Sequence, residues 1–151
     1  MDINMKTPYG DFTLRAAALI LDHNQLLVAK HDDYDCFYTI GGAVKADETS
    51  ADAAIREAYE ETGYRFAIDR LVYVQERFYS TGDRHHHEVT FFYLMEPNGS
   101  HIENGSCTDH LNEKLHWLPI DELQKINLVP KFLRTTLANI PNEVVHIVSG
   151  K

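Results

Sequence analysis

One stretch constrains this chain more than any other. Thr49 to Thr62 contains neither glycine nor proline and reads as a helix, with Asp47, Glu48 and Thr49 supplying acids and a hydroxyl for its N-terminus and Gly63 a natural stop. The flanking segments read as strands instead. Leu14 to Leu21 and Gln25 to Ala29, around the turn-like Asp22-His23-Asn24, predict a hairpin, and Phe37 to Ile40 predicts a short strand that stops at Gly41-Gly42. After the helix, Ala67 to Tyr79 and Glu88 to Met95 predict two strands joined by the polar segment Ser80 to His87. Residues 98–113 read as a surface loop, Leu115 to Leu118 and Val144 to Val148 as further short strands, and Ile120 to Ile126 and Lys131 to Asn139 as helices preceded by Pro119 and Pro130. Strands on both sides of a central helix, with more helices late, predict an α/β architecture in which a mixed sheet is covered by helices. No repeat or linker-like tract divides the chain, so one domain over 1–151 is expected.

The charge balance narrows the partners. Fourteen Lys and Arg stand against 23 Asp and Glu, a net charge of −9, which argues against broad attachment to a nucleic acid polymer or an anionic membrane. The longest uninterrupted apolar run, Ala16 to Leu21, is far below the ~20 residues of a membrane span, and the N-terminus has no apolar leader block, so a cytoplasmic location is expected. Cys36 and Cys107 form no Cys-x-x-Cys arrangement and read as buried or idle thiols. A phosphate-rich ligand would need a divalent cation to offset the acids, and the acids are clustered between residues 47 and 61.

On a helical wheel at ~100° per residue with Glu57 at zero, Glu60 falls at about −60° and Glu61 at about +40°. The three carboxylates share one face. Ala51, Ile55, Ala58 and Thr62 fall between about 100° and 160° and predict an apolar stripe at the back of the helix, against a sheet, with the anionic face in front. Like charges at this spacing weaken a helix unless something compensates, and a hard cation such as Mg²⁺ or Mn²⁺ takes oxygen ligands of this kind. A solvated acidic face is the ordinary alternative.

Read as one string, Gly42-x5-Glu48-x7-Arg56-Glu57-Ala58-Tyr59-Glu60-Glu61-Thr62-Gly63-Tyr64 resembles the signature of the Nudix hydrolases, G-x5-E-x7-R-E-U-x-E-E-x-G-U. All seven fixed positions match over 23 residues; Ala58 is a small residue at the first U, and Tyr64 departs from the aliphatic second U. The resemblance implies a Nudix-type α/β/α sandwich and hydrolysis of a nucleoside diphosphate linked to another moiety. It further implies that Glu57, Glu60 and Glu61, with Gly42, hold Mg²⁺ (Mn²⁺ substituting), that Gly41 and Gly42 let backbone approach metal or phosphate, that Glu48 braces the loop–helix junction and that Gly63 ends the helix. Arg56 would orient the carboxylates. Glu57 is the first choice of general base, and Glu113, then Glu103, are loop acids that could fold over the site instead.

Substrate contacts should lie outside the motif. Arg15, Tyr38 and Arg77 could pair with phosphate or stack on a base. His85, His86 and His87 point to alternating faces of an extended segment and cannot all reach one ion, so a loop or substrate-rim role is expected for them. Trp117 and Phe91-Phe92-Tyr93 read as core. The expected partner is a small nucleotide-type diphosphate, and homodimers are common in the resembled family. A non-catalytic nucleotide-sensing module on the same fold is the competing reading.

Overall fold

The computed structural model describes residues 1–151. Its elements are β1 (Asn4–Thr7), β2 (Gly10–Leu19), β3 (Leu21–Asp22), β4 (Gln25–His31), β5 (Phe37–Ala43), α1 (Ser50–Thr62), β6 (Ile68–Thr81), β7 (Arg84–Met95), β8 (Glu113–Pro119), a 3-10 helix (Ile120–Lys125), β9 (Leu128–Val129), α2 (Leu133–Thr136) running into a second 3-10 helix (Leu137–Asn139), and β10 (Val145–Ser149). The strands lie in the order β10-β6-β7-β2-β5-β4-β3, with β1 added to β2, β8 to β4 and β9 to β5. The pairs β2/β7, β6/β10 and β5/β9 are parallel and the others antiparallel, so the sheet is mixed.

Alternation along β2 sends its side chains to two different cores. Ala17 and Leu19 face Leu123, Leu133 and Leu137 from the late helical segments, whereas Ala16, Ala18 and Ile20 belong to the face covered by α1. The result is an α/β/α sandwich. On the α1 side the contact is built from small residues, Ala16 and Ala18 against Ala53, Ala54 and Ala58, which lets the helix axis come close to the sheet. That closeness brings α1 against the two glycines of β5. No helix is long and apolar enough to cross a membrane.

Several expectations need correction. The Asp22-His23-Asn24 turn does form, with His23 at φ 47° and Asn24 at φ 61° as a primed turn requires. The hairpin it predicts is only two pairs long, Leu21 with Leu26 and Asp22 with Gln25, because β5 then inserts between β2 and β4 and takes the remaining ladder groups. Nor does the Phe37 strand stop at Gly41-Gly42. Both glycines pair with Ala17 and Ala16 and the strand runs on to Ala43. Ser80 to His87 is largely strand: β6 and β7 stay paired out to Thr81 and Arg84, leaving Gly82 and Asp83 as the turn. Cross-strand stacking of Tyr79 on His86, 4.6 Å between centroids, supports that polar extension. The late helices are shorter than expected, a six-residue 3-10 helix and then a four-residue α-helix running into one 3-10 turn, and Ile126 is already extended.

Candidate active site

Helix α1 begins at an N-cap Thr49 whose side chain accepts from the Asp52 amide at 3.1 Å, and it ends at Gly63 in the left-handed conformation, whose N–H donates to the Tyr59 carbonyl at 2.8 Å. Its rotation about its own axis differs from the expectation. The stripe facing the sheet is Ala53, Ala54, Glu57, Ala58 and Glu61, while Ala51, Ile55 and Thr62 are only half-buried. Two of the three motif carboxylates therefore point inward. The cause is the sheet surface beneath them: a Cβ at Gly42 would overlap the Glu57 carboxylate, and a Cβ at Gly41 would stand 2.8 Å from the Ala17 Cα. Glycine at position 42 leaves room for the Glu57 side chain where an apolar stripe would ordinarily pack, and glycine at position 41 leaves room for the β2 backbone.

Glu57 is 8% exposed, Glu61 5%, and Glu60 lies on the outer side of the helix. Glu61 Oε1 accepts from the Gly41 amide at 3.2 Å, and its Oε2 is buried with no hydrogen-bond partner. Glu113, expected in a loop, opens β8 and is 8% exposed. It accepts from the Tyr38 hydroxyl and, at 2.8 Å, from the Thr108 hydroxyl. Burial, reinforced by the negative charge of Glu113, pushes the Glu61 carboxyl up to about 9. Burial also raises Glu57, opposed by its hydrogen bond from Arg56, and Tyr38 is raised by burial and by Glu113.

Arg56 ties the acids together from the outer side. Its Nε and Nη2 donate to Glu48 at 2.7 and 2.9 Å, its Nη1 to Glu57 at 2.7 Å and to Glu60 at 3.3 Å, and its Nη2 to the Ala43 carbonyl at 3.1 Å. Glu48 also accepts from the Lys45 amide at 2.9 Å, and the Arg56 hydrogen bonds hold its carboxyl down to about 2. No three acid or histidine side chains are gathered round a single point.

Arg15, Tyr38 and Arg77, named separately from the sequence, line one cleft of about 210 Å³ that touches Gly41. Gln75, Glu88 and Thr90 share it, and sequence reasoning missed them. Their only signal is register: Gln75 and Arg15 both pair with Thr90, and Arg77 pairs with Glu88, which becomes visible once the partners of β7 are known. Glu103 is exposed and outside this cluster. The three histidines separate as strand alternation requires: His85 meets the Ser80 hydroxyl at 3.1 Å, His86 lies 3.7 Å from Asp11, and His87 stacks on Phe78 at 4.3 Å. Phe92 is core, whereas Trp117 is half-buried with its indole N–H on the Ile102 carbonyl at 2.7 Å, and Tyr93 bonds Ser50. Both cysteines are free, Cys107 being exposed.

The sequence model of the NUDIX domain matches residues 11–140. The chain belongs to the NUDIX domain family. Among its Nudix relatives, the human diphosphoinositol polyphosphate phosphohydrolase NUDT4B is 28% identical over 119 residues, 76% of this chain and 62% of that protein. The chain thus spans less than two thirds of that relative's length. A putative 8-oxo-dGTP diphosphatase of Bacillus subtilis (strain 168) is 34% identical over 67 residues, 44% of this chain and 45% of that one. The Nudix fold is shared with the MutT protein of Bacillus halodurans, with a TM-score of 0.70 at 16% identity over 89% of this chain and 86% of that chain. It is shared too with an ADP-ribose pyrophosphatase of Streptococcus suis 89-1591, with a TM-score of 0.56 at 16% identity over 90% and 98%. Nudix hydrolases generally use divalent metal ions.

Proposed function

We propose that this chain, folded as one Nudix domain, is a divalent-metal-dependent pyrophosphohydrolase that cleaves the diphosphate linkage of a nucleoside diphosphate joined to another moiety. The observation that carries the reading is the buried acid pair Glu57 and Glu61 set against Gly41-Gly42, with one Glu61 oxygen left without a partner. A buried carboxylate oxygen with no donor costs free energy, and an oxygen-seeking cation is the partner that removes the cost. The donor set fits Mg²⁺ or Mn²⁺. Glu57 and Glu61, with Glu60 and the Gly42 backbone, would hold it, and when bound it supplies neutralisation of phosphate charge and a lowered water pKa.

The remaining work belongs to the chain's own groups. Arg15, which lines the cleft and makes no salt bridge of its own, pairs with a phosphate oxygen. Water attacks one phosphorus, the bridging P–O bond breaks, and a phosphate-containing product departs with the bridging oxygen. Glu57 takes the proton from that water, a contribution on the order of 10²–10⁴-fold, while Arg56 keeps its carboxylate fixed. Glu113, tethered by Tyr38 and Thr108 and close enough for its charge to act on Glu61, is the second candidate base. The test is a Mg²⁺ turnover screen over nucleoside triphosphates, ADP-ribose-like sugars, dinucleoside polyphosphates and other capped diphosphates, with both products identified. Hydrolysis that stops in excess EDTA and returns with Mg²⁺ or Mn²⁺ is expected. Full turnover in EDTA, or none on the whole panel, would overturn the assignment.

A further inference from the structure

The cleft that reaches Gly41, lined by neither Glu57 nor Glu61, carries a charge pattern that bridge hydrolysis does not itself require. Gln75 and Thr90 are buried at its floor. Two residues along the strands, Arg77 faces Glu88. The Glu88 side chain is 14% exposed; its Oε1 accepts from the Tyr79 hydroxyl at 2.9 Å and its Oε2 lies 3.5 Å from Arg77 Nη1. The Arg77 guanidinium in turn lies 4.4 Å from the Tyr79 ring centroid. Arg77 is thereby paired with a carboxylate and packed on a ring, which leaves Arg15 as the cleft's one cation without a carboxylate partner.

A single free cation suits one phosphate group at this position. A polyol carrying phosphates on most of its carbons would need a cation or amide donor at each, and would meet Glu88 instead. Glu88 asks for the opposite chemistry. An ionised carboxylate only accepts, its two oxygens offer about four lone-pair sites, and only one of them is taken at close range here. The ligand feature that satisfies a partly buried carboxylate best is a pair of parallel N–H donors. Among nucleobases, guanine presents that pair, at N1–H and the 2-amino group; adenine and hypoxanthine present at most one of the two.

We propose that this cleft reads a guanine-type base, with the Glu88 carboxylate accepting the N1–H and 2-amino donors of a purine nucleotide while Arg15 pairs with its phosphate. The inference rests on the nucleotide-hydrolase reading and names its substrate class. Calorimetric titration of the full chain with GMP, IMP and AMP, without divalent metal, separates the two claims because nothing is hydrolysed. GMP is expected to bind at least about ten-fold more tightly than IMP, which lacks only the 2-amino group, and more tightly than AMP. Glu88→Gln is expected to bring GMP down to the IMP level. Inositol hexakisphosphate is expected not to compete.

Equal binding of GMP, IMP and AMP by the wild-type chain, or no nucleotide binding at all, would overturn the proposal. So would a Glu88→Gln variant that weakens all three alike, which would mark Glu88 as no more than the holder of Arg77. A chain that discriminates guanine but cleaves no diphosphate would overturn the hydrolase reading and leave this one standing. Equal kcat/KM on GTP, ITP and ATP would do the reverse.

Discussion

Glu48 takes hydrogen bonds from three donors on two sides of the loop–helix junction, the Lys45 amide and the Nε and Nη2 of Arg56. Because its carboxyl is held down to about 2 in the folded chain, its contribution to stability is fully present above the ordinary carboxylate range. It is lost as pH falls from about 4.5 towards about 2. Glu48→Gln should cost about 2 kcal/mol in urea denaturation at pH 7, the worth of hydrogen bonds to a charged group, and the gap to wild type should close through that same acid window. A gap independent of pH would show that the ion pair contributes little. The two glycines of β5 separate in the same way. Gly42→Ala drives a methyl into the Glu57 carboxylate, so kcat should fall on the order of 10²-fold with folding largely kept. Gly41→Ala meets the Ala16 and Ala17 backbone, so its main effect should be a loss of about 1–3 kcal/mol in stability. Activity and denaturation measurements on both variants check the contrast.

At the scale of elements, α1 was legible to within one residue because capping is local chemistry: Gly63 ends it as the sequence indicates, and of Asp47, Glu48 and Thr49 it is Thr49 that caps a helix starting at Ser50. Its rotation was not. The wheel marks where apolar side chains lie, whereas the sheet approaches over Gly41-Gly42 and accepts Glu57 and Glu61 into the interface. The strand β7 shows the converse: its apolar half carries the composition of a strand, whereas its polar half has the composition of a connection although Arg84 to His87 remain paired with β6. The histidines on that half stand three to five residues from Thr90, roughly 10–17 Å along the strand. His85→Ala, His86→Ala and His87→Ala should each keep the divalent-metal requirement and most of kcat. His87→Ala should also lose about 1 kcal/mol of stability with its stacking on Phe78. Loss of the metal requirement in any one of them would contradict this placement.

Across the whole molecule, what was hidden is what depends on distant segments meeting. The insertion of β5 between β2 and β4 joins residues that no local pattern links, and it is this insertion that carries Gly41-Gly42 under α1. The same non-local pairing assembles Arg15, Arg77 and Glu88 from three strands into one cleft, and brings Glu113 of β8 next to Glu61. The spacing of Glu57, Glu60 and Glu61 was readable because it lies within one helix; the distinction between two inward carboxylates and one outward was not. The central claim, that the inward pair holds the catalytic cation, is tested most directly by kcat/KM of Glu57→Gln and Glu61→Gln on the best substrate of the screen. Each substitution keeps side-chain size and removes a charge, so the fold should survive. A fall on the order of 10²-fold or more is expected for Glu57→Gln, with a clear loss for Glu61→Gln as well. Near-normal kcat/KM in both variants would contradict the account.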